Sequence, residues 1–111
     1  MAQSFKILGQ IDLISTALED VYEVPANRET IISTIVIANR AASATTFTLA
    51  LRDQGATLAN RHLLGSGVPL AANDSTTLTL GITLEAADVL SVAAGDGDHL
   101  SVNVFGTELV V

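Results

Sequence analysis

The sequence has 111 residues, 49% of them hydrophobic and only 15% charged, with twelve Asp and Glu against five Lys and Arg for a net charge of −7. That length makes one domain. The acidic balance, with Lys6, Arg28, Arg40, Arg52 and Arg61 scattered along the chain, excludes nucleic acid and anionic membrane as partners, because phosphate contacts need clustered cations. The lack of Cys excludes a disulfide framework and thiolate chemistry. No apolar run is long enough to cross a membrane as a helix. The N-terminus has no basic segment leading into an apolar core, so no secretory signal is expected. So few charges leave apolar surface to be covered, either within a compact β domain or in an assembly.

Residues 1–10 are read as an N-terminal arm or an edge strand, with Phe5, Ile7 and Leu8 as the groups to bury, ahead of a single sandwich domain over 11–111. Ile11 to Thr16 is expected to be a loop and Ala17 to Val24 a strand. Val24-Pro25-Ala26-Asn27 is a turn signature: Pro holds Val24 extended and Asn tolerates left-handed geometry.

Thr30 to Asn39 is the centre of the pattern. It is rich in β-branched residues and has no Gly or Pro, which favours a pleated strand over a helix. Its two alternate sets, Ile31/Ser33/Ile35/Ile37 and Ile32/Thr34/Val36/Ala38, are both largely apolar. A strand in the interior of a sheet is expected, one set facing the core and the other a candidate subunit interface.

Thr45 to Arg52 alternates Phe47, Leu49 and Leu51 with Thr46, Thr48 and Ala50, and predicts a half-buried strand. Asp53 to Pro69 holds Gly55, Gly65 and Gly67 and is expected to be a long loop, with Arg61-His62-Leu63-Leu64 as a short strand inside it. Long loops in compact domains tend to be functional or ordered by a partner. Val68-Pro69 to Asn73 repeats the earlier turn signature. Ser75 to Leu84 then alternates, with Leu78, Leu80, Ile82 and Leu84 inward. Asp88 to Ala93 is a short strand, Gly95-Asp96-Gly97-Asp98 a tight hairpin turn, and His99 to Phe105 a strand broken by Gly106. The sum is an all-β chain of about seven or eight short strands, an antiparallel β-sandwich of jelly-roll or Greek-key type.

Chemistry is sparse. Ser66 lies between two glycines without the spacing of a nucleophile elbow. His62 and His99 are isolated, whereas zinc takes three or four close ligands. Asp96 and Asp98 resemble the start of a calcium loop but lack its later ligands. Glu19 and Asp20 are adjacent, so on a strand they point to opposite faces and cannot act as an acid/base pair. No catalytic residue, metal or cofactor is expected, and the chain is read as a non-enzyme.

The order of the segments carries more than any one residue. Leu8-Gly9-Gln10, Asp20-Val21-Tyr22-Glu23-Val24-Pro25-Ala26, Ser33 to Arg40, Thr46 to Arg52, Ala72-Asn73-Asp74, Gly81 to Leu84, Asp88 to Val92 and Phe105-Gly106-Thr107-Glu108 follow one another along residues 8–108. This succession resembles a family of small virion structural proteins of tailed bacteriophages. Where that family often has aromatic residues in the middle loop, this chain has Leu63-Leu64-Gly65. The resemblance implies a β-sandwich on the phage particle surface, made in the bacterial host cytoplasm. The implied role is capsid decoration (a cement protein), with a neck, tail or fibre-base accessory as the alternative. The implied partners are other copies of the chain, as a trimer, and virion proteins such as the major capsid protein. Candidate interface residues are Phe5, Ile7 and Leu8 in the first segment and Arg61, His62, Leu63 and Leu64 in the middle one. A carbohydrate-binding sandwich is the competing class, and it needs exposed aromatics that Tyr22 and three Phe scarcely supply.

Overall fold

A computed structural model describes residues 3–97 and 99–111; the side chains of Gln3, Ser4, Phe5 and Leu80 are outside that description. The described residues form eight strands: β1 (Gln3–Leu13), β2 (Glu19–Glu23), β3 (Arg28–Asn39), β4 (Thr45–Arg52), β5 (Leu63–Leu70), β6 (Ser75–Glu85), β7 (Val89–Ala94) and β8 (Leu100–Val110). They build two four-stranded antiparallel sheets, ordered β1-β8-β3-β6 and β2-β7-β4-β5. β1 pairs with β8, β2 with β7, β3 with β6 and β4 with β5. This is the pairing of one long hairpin rolled into two facing sheets, the jelly roll. It confirms the all-β sandwich expected from alternation.

The strands with the clearest alternation, β3, β4 and β6, lie close to their expected bounds. Four boundaries differ. β1 continues through Ile11 to Leu13, where a loop was expected, because Ile11 and Leu13 have partners in Val102 and Leu100. Residues 63–70 are strand rather than loop: β5 is a sheet edge, where Gly65, Gly67 and Pro69 are tolerated because one side of the backbone needs no partner. The loop shrinks to residues 53–62, with 3-10 turns at Asp53–Gly55 and Asn60–His62. Gly106 does not end β8, which runs on to Val110. Finally, Gly95 to Gly97 do not form a hairpin turn: the strands on either side, β7 and β8, belong to opposite sheets. Asp98 of that expected turn lies outside the described residues.

β3 holds the most instructive difference. Neither of its two alternate sets is the inward one. Thr30 and Ile32 are buried, then Ile35, Ile37 and Asn39, so the phase inverts between Ile32 and Ile35. The ladders to β6 and β8 both shift register between Ile32 and Thr34. Ser33 is the extra residue of a β-bulge, which re-aims every following side chain. Its hydroxyl donates to the Phe105 carbonyl across the shift at 3.2 Å. The bulge presses β3 onto β8. A Cβ on Gly106 would lie 2.1 Å from the Ile31 carbonyl oxygen and 3.0 Å from Ile32 Cα, so this position needs glycine for space and not for conformation.

The core between the sheets is Leu13, Val24, Ile32, Ile35, Ile37, Leu49, Leu90, Val92, Leu100, Val102 and Val104, with Tyr22, Phe47, Leu70 and Leu84 around them. Each end of the sandwich carries a buried polar cluster. At one end the Asn39 side-chain amide donates to the carbonyls of Ser43 (2.9 Å) and Ala71 (3.1 Å), while its oxygen accepts the Ala41 N–H at 3.0 Å. One side chain thereby ties the β3–β4 and β5–β6 connections together. The turn residues Asn27 and Asn73, at φ 61° and 54°, adopt the left-handed conformation expected of them. They lead into β3 and β6, which pair side by side.

Candidate assembly surfaces

The two sides of the sandwich, where the sheets approach edge to edge, differ. On the β1–β2 side the backbones nearly touch: a Cβ on Gly9 would lie 2.5 Å from the Val21 carbonyl oxygen. The β5–β6 side stays open. A cavity of about 280 Å³ enters there between the sheets, lined by Phe47 and Leu49 of β4, Leu64, Gly65 and Val68 of β5, and Leu78 and Ile82 of β6. Leu78 and Ile82 sit inward as expected, yet are only half-buried because they face this opening.

The candidate interface residues fall in two separate places. Ile7 is 52% exposed on the outer face of the first sheet, opposite Phe105 and near the bulge, and Ile31 adds a second exposed apolar side chain to that face. Leu8 points the other way and packs against the core. Phe5 sits on β1 facing Thr107, but its side chain lies outside the described set. In the middle segment, Leu64 is half-exposed at the cavity mouth, Arg61 is exposed, and Leu63 is half-buried. His62 is buried at 4% exposure. Its Nδ1 accepts the Ala59 N–H at 3.0 Å, and its Nε2 has no hydrogen-bond partner among the described residues.

The loop 53–62 folds back over the second sheet. Arg52 anchors it by donating to the Ala56 carbonyl at 3.1 Å, while its other amino group pairs with Asp20 at 2.6 Å. Asp20 also accepts the Ser91 hydroxyl at 2.9 Å. Asp88 locks the same region: its two oxygens accept the N–H groups of Gln54 (2.9 Å) and Glu85 (3.0 Å). Asp53, Glu85 and Asp88 place carboxylate oxygens within 4.8 Å of one another, but Asp88 is already committed to those backbone donors. Asp96, weighed as a calcium ligand from sequence, accepts a hydrogen bond from the Thr45 hydroxyl instead.

The second buried polar cluster joins the sheets. The Tyr22 hydroxyl donates to Glu108 at 2.7 Å and lies 2.7 Å from the Thr30 hydroxyl, and Lys6 pairs with the other Glu108 oxygen at 2.7 Å. The hydrogen bond from Lys6 holds the Glu108 carboxyl below the usual carboxylate range against the opposing effect of burial, helped by Tyr22 and by the charges of Lys6 and Arg28. Burial, reinforced by Glu108, pushes the Tyr22 hydroxyl up. A depressed native pKa stabilises the fold at pH values above the unfolded Glu value of about 4.3, and that stability is lost as pH falls through the native value. The melting temperature is therefore expected to fall more steeply below about pH 5 in the wild type than in Glu108→Gln. Parallel melting curves for the two proteins across that range would refute the linkage.

No family model and no curated protein matches the chain. Solved structures do. A chain from the acidic stable capsid structure of Helicobacter pylori bacteriophage KHP30 aligns with a TM-score of 0.55 and 11% identity, covering 98% of this chain and 89% of that one. The coat protein of Tobacco streak virus aligns at 0.51 and 9% identity over 97% of this chain and 84% of its own. A chain of infectious bursal disease virus, Gx strain, aligns at 0.50 and 11% identity over 96% of this chain but 32% of that one. The likeness is one of fold: the chain has the jelly-roll sandwich of viral capsid proteins.

Proposed function

We propose that the chain is a non-enzymatic structural protein of a virion, and specifically a decoration (cement) protein on the head of a tailed bacteriophage. The observation that carries this is the two-way fit to the bacteriophage capsid chain, which is spanned almost end to end by a domain of nearly its own length. The composition agrees, with few charges and much Thr and Ser on outward strand faces, such as Thr77, Thr79 and Thr83. The partners in this reading are copies of the same chain, as a trimer, and the major capsid protein, with the exposed candidates Ile7 and Leu64 in contact with them. A neck, tail or fibre-base position is the alternative within the same class. A carbohydrate site gains no support from the described aromatics, since Tyr22 and Phe47 are core residues and Phe105 is half-buried in a strand.

Copy number decides between these positions. Quantitative mass spectrometry of purified particles is expected to find the chain at roughly hundreds of copies, in fixed ratio to the major capsid protein. About a dozen copies or fewer would move it to the neck or tail, and its absence from particles would end the virion reading.

A further inference from the structure

The open β5–β6 side is nearly free of charge. From Leu63 to Leu84 the sequence carries a single charged residue, Asp74, and that residue sits in the turn between the two strands. Both strands are sheet edges. Edge strands exposed to water are ordinarily protected by charged side chains. The opposite side follows that rule, with Lys6 and Asp12 on β1 and Glu19, Asp20 and Glu23 on β2. β5 and β6 carry none apart from Glu85 at the last position of β6. Between them opens an apolar cavity, with Leu64 half-exposed at its mouth and the half-buried side chains of Val68, Leu78 and Ile82 behind it. Burial of such a surface is favourable in proportion to its apolar area.

We propose that the β5–β6 side is the surface through which copies of this chain associate with one another. The charge distribution selects the occupant. Each copy carries a net charge of −7, so two copies repel wherever their acidic faces meet, and least where both are uncharged. A basic partner would instead be drawn to the acidic β1–β2 side. A second copy offers a surface that is neutral, apolar and open in the same place. This inference is independent of where, or whether, the chain sits on a virion, because it is read in solution.

Sedimentation velocity of the full chain over a concentration series tests it. The wild type is expected to shift from monomer to a dimer or larger species as concentration rises. Leu64→Glu and Ser66→Glu place a charge on exposed positions of β5, where neither change opens the core. Each is expected to weaken association by roughly tenfold or more while leaving the circular dichroism and melting temperature of the monomer unchanged. Ile14→Glu, at an apolar residue 68% exposed in the β1–β2 connection, is expected to leave association as it is. A wild type that stays monomeric at every concentration overturns the proposal. So does association that survives both β5 variants, or association abolished by Ile14→Glu alone.

Discussion

Ile32→Ala and Ile35→Ala are each expected to cost about 2–5 kcal/mol of stability, the usual range for emptying a fully buried aliphatic position. Ile31→Ala is expected to cost less than about 1 kcal/mol, because its side chain is 41% exposed on the outer face. Two inward residues three positions apart cannot belong to an unbroken strand, in which side chains alternate strictly. The pair therefore tests the bulge at Ser33 directly. An unbroken strand predicts that Ile31 and Ile35 are costly together, or Ile32 and Val36. Chemical denaturation of alanine variants at Ile31, Ile32, Ile35 and Val36 distinguishes the three patterns, and large losses at Ile32 and Val36 together, or at Ile31 and Ile35 together with little loss at Ile32, would show that the phase does not invert.

The second large effect is expected at Gly106. Alanine there puts a methyl group against the Ile31 carbonyl and the Ile32 backbone, neither of which can rotate away, and against the end of Leu8. Overpacking among side chains typically costs 1–3 kcal/mol; against backbone in the middle of a sheet, about 3 kcal/mol or more is expected, with β3 and β8 forced apart. Gly67→Ala is the matched control. Gly67 has a left-handed φ of 61° but open space where a Cβ would go, so only the conformational cost of about 1–2 kcal/mol applies. If Gly67→Ala proves the more damaging of the two, the close approach of β3 and β8 is not what that position is selected for.

These two positions also mark the limit of what the sequence reveals. The long strands are legible because β-branched and alternating residues are written at every position, as in Thr45 to Arg52 and Ser75 to Leu84. The bulge is not, because a single inserted residue leaves the composition unchanged. Ser33 looks like any other polar position in a strand, and only the ladder to β8 shows that it is extra. Glycine misleads for a related reason. Gly106 reads as a strand end and Gly65 as loop, yet one relieves a backbone contact and the other lies on an edge. The same holds for the assembly surfaces. Ile7 and Leu64 are apolar in sequence and exposed in the fold, but His62, their neighbour in the argument from sequence, is turned inward by a short 3-10 turn. The neutrality of residues 63–84 is plain in the sequence. Its meaning depends on β5 and β6 lining one open side, which only topology supplies.

The rolled-hairpin pairing also sets an order of events during synthesis. β8 is the last strand to be made, yet it lies between β1 and β3 in the first sheet. Until it emerges, β1 has no sheet partner, and Val102 and Val104 are missing from the core. The second sheet and the β3–β6 pair need no β8, but β1 must wait, extended and apolar, for residues 100–110. The domain therefore cannot close its first sheet until its last strand has left the ribosome. Its nascent chain depends on speed of release, or on protection by other proteins, to avoid pairing its bare strands with those of a neighbour.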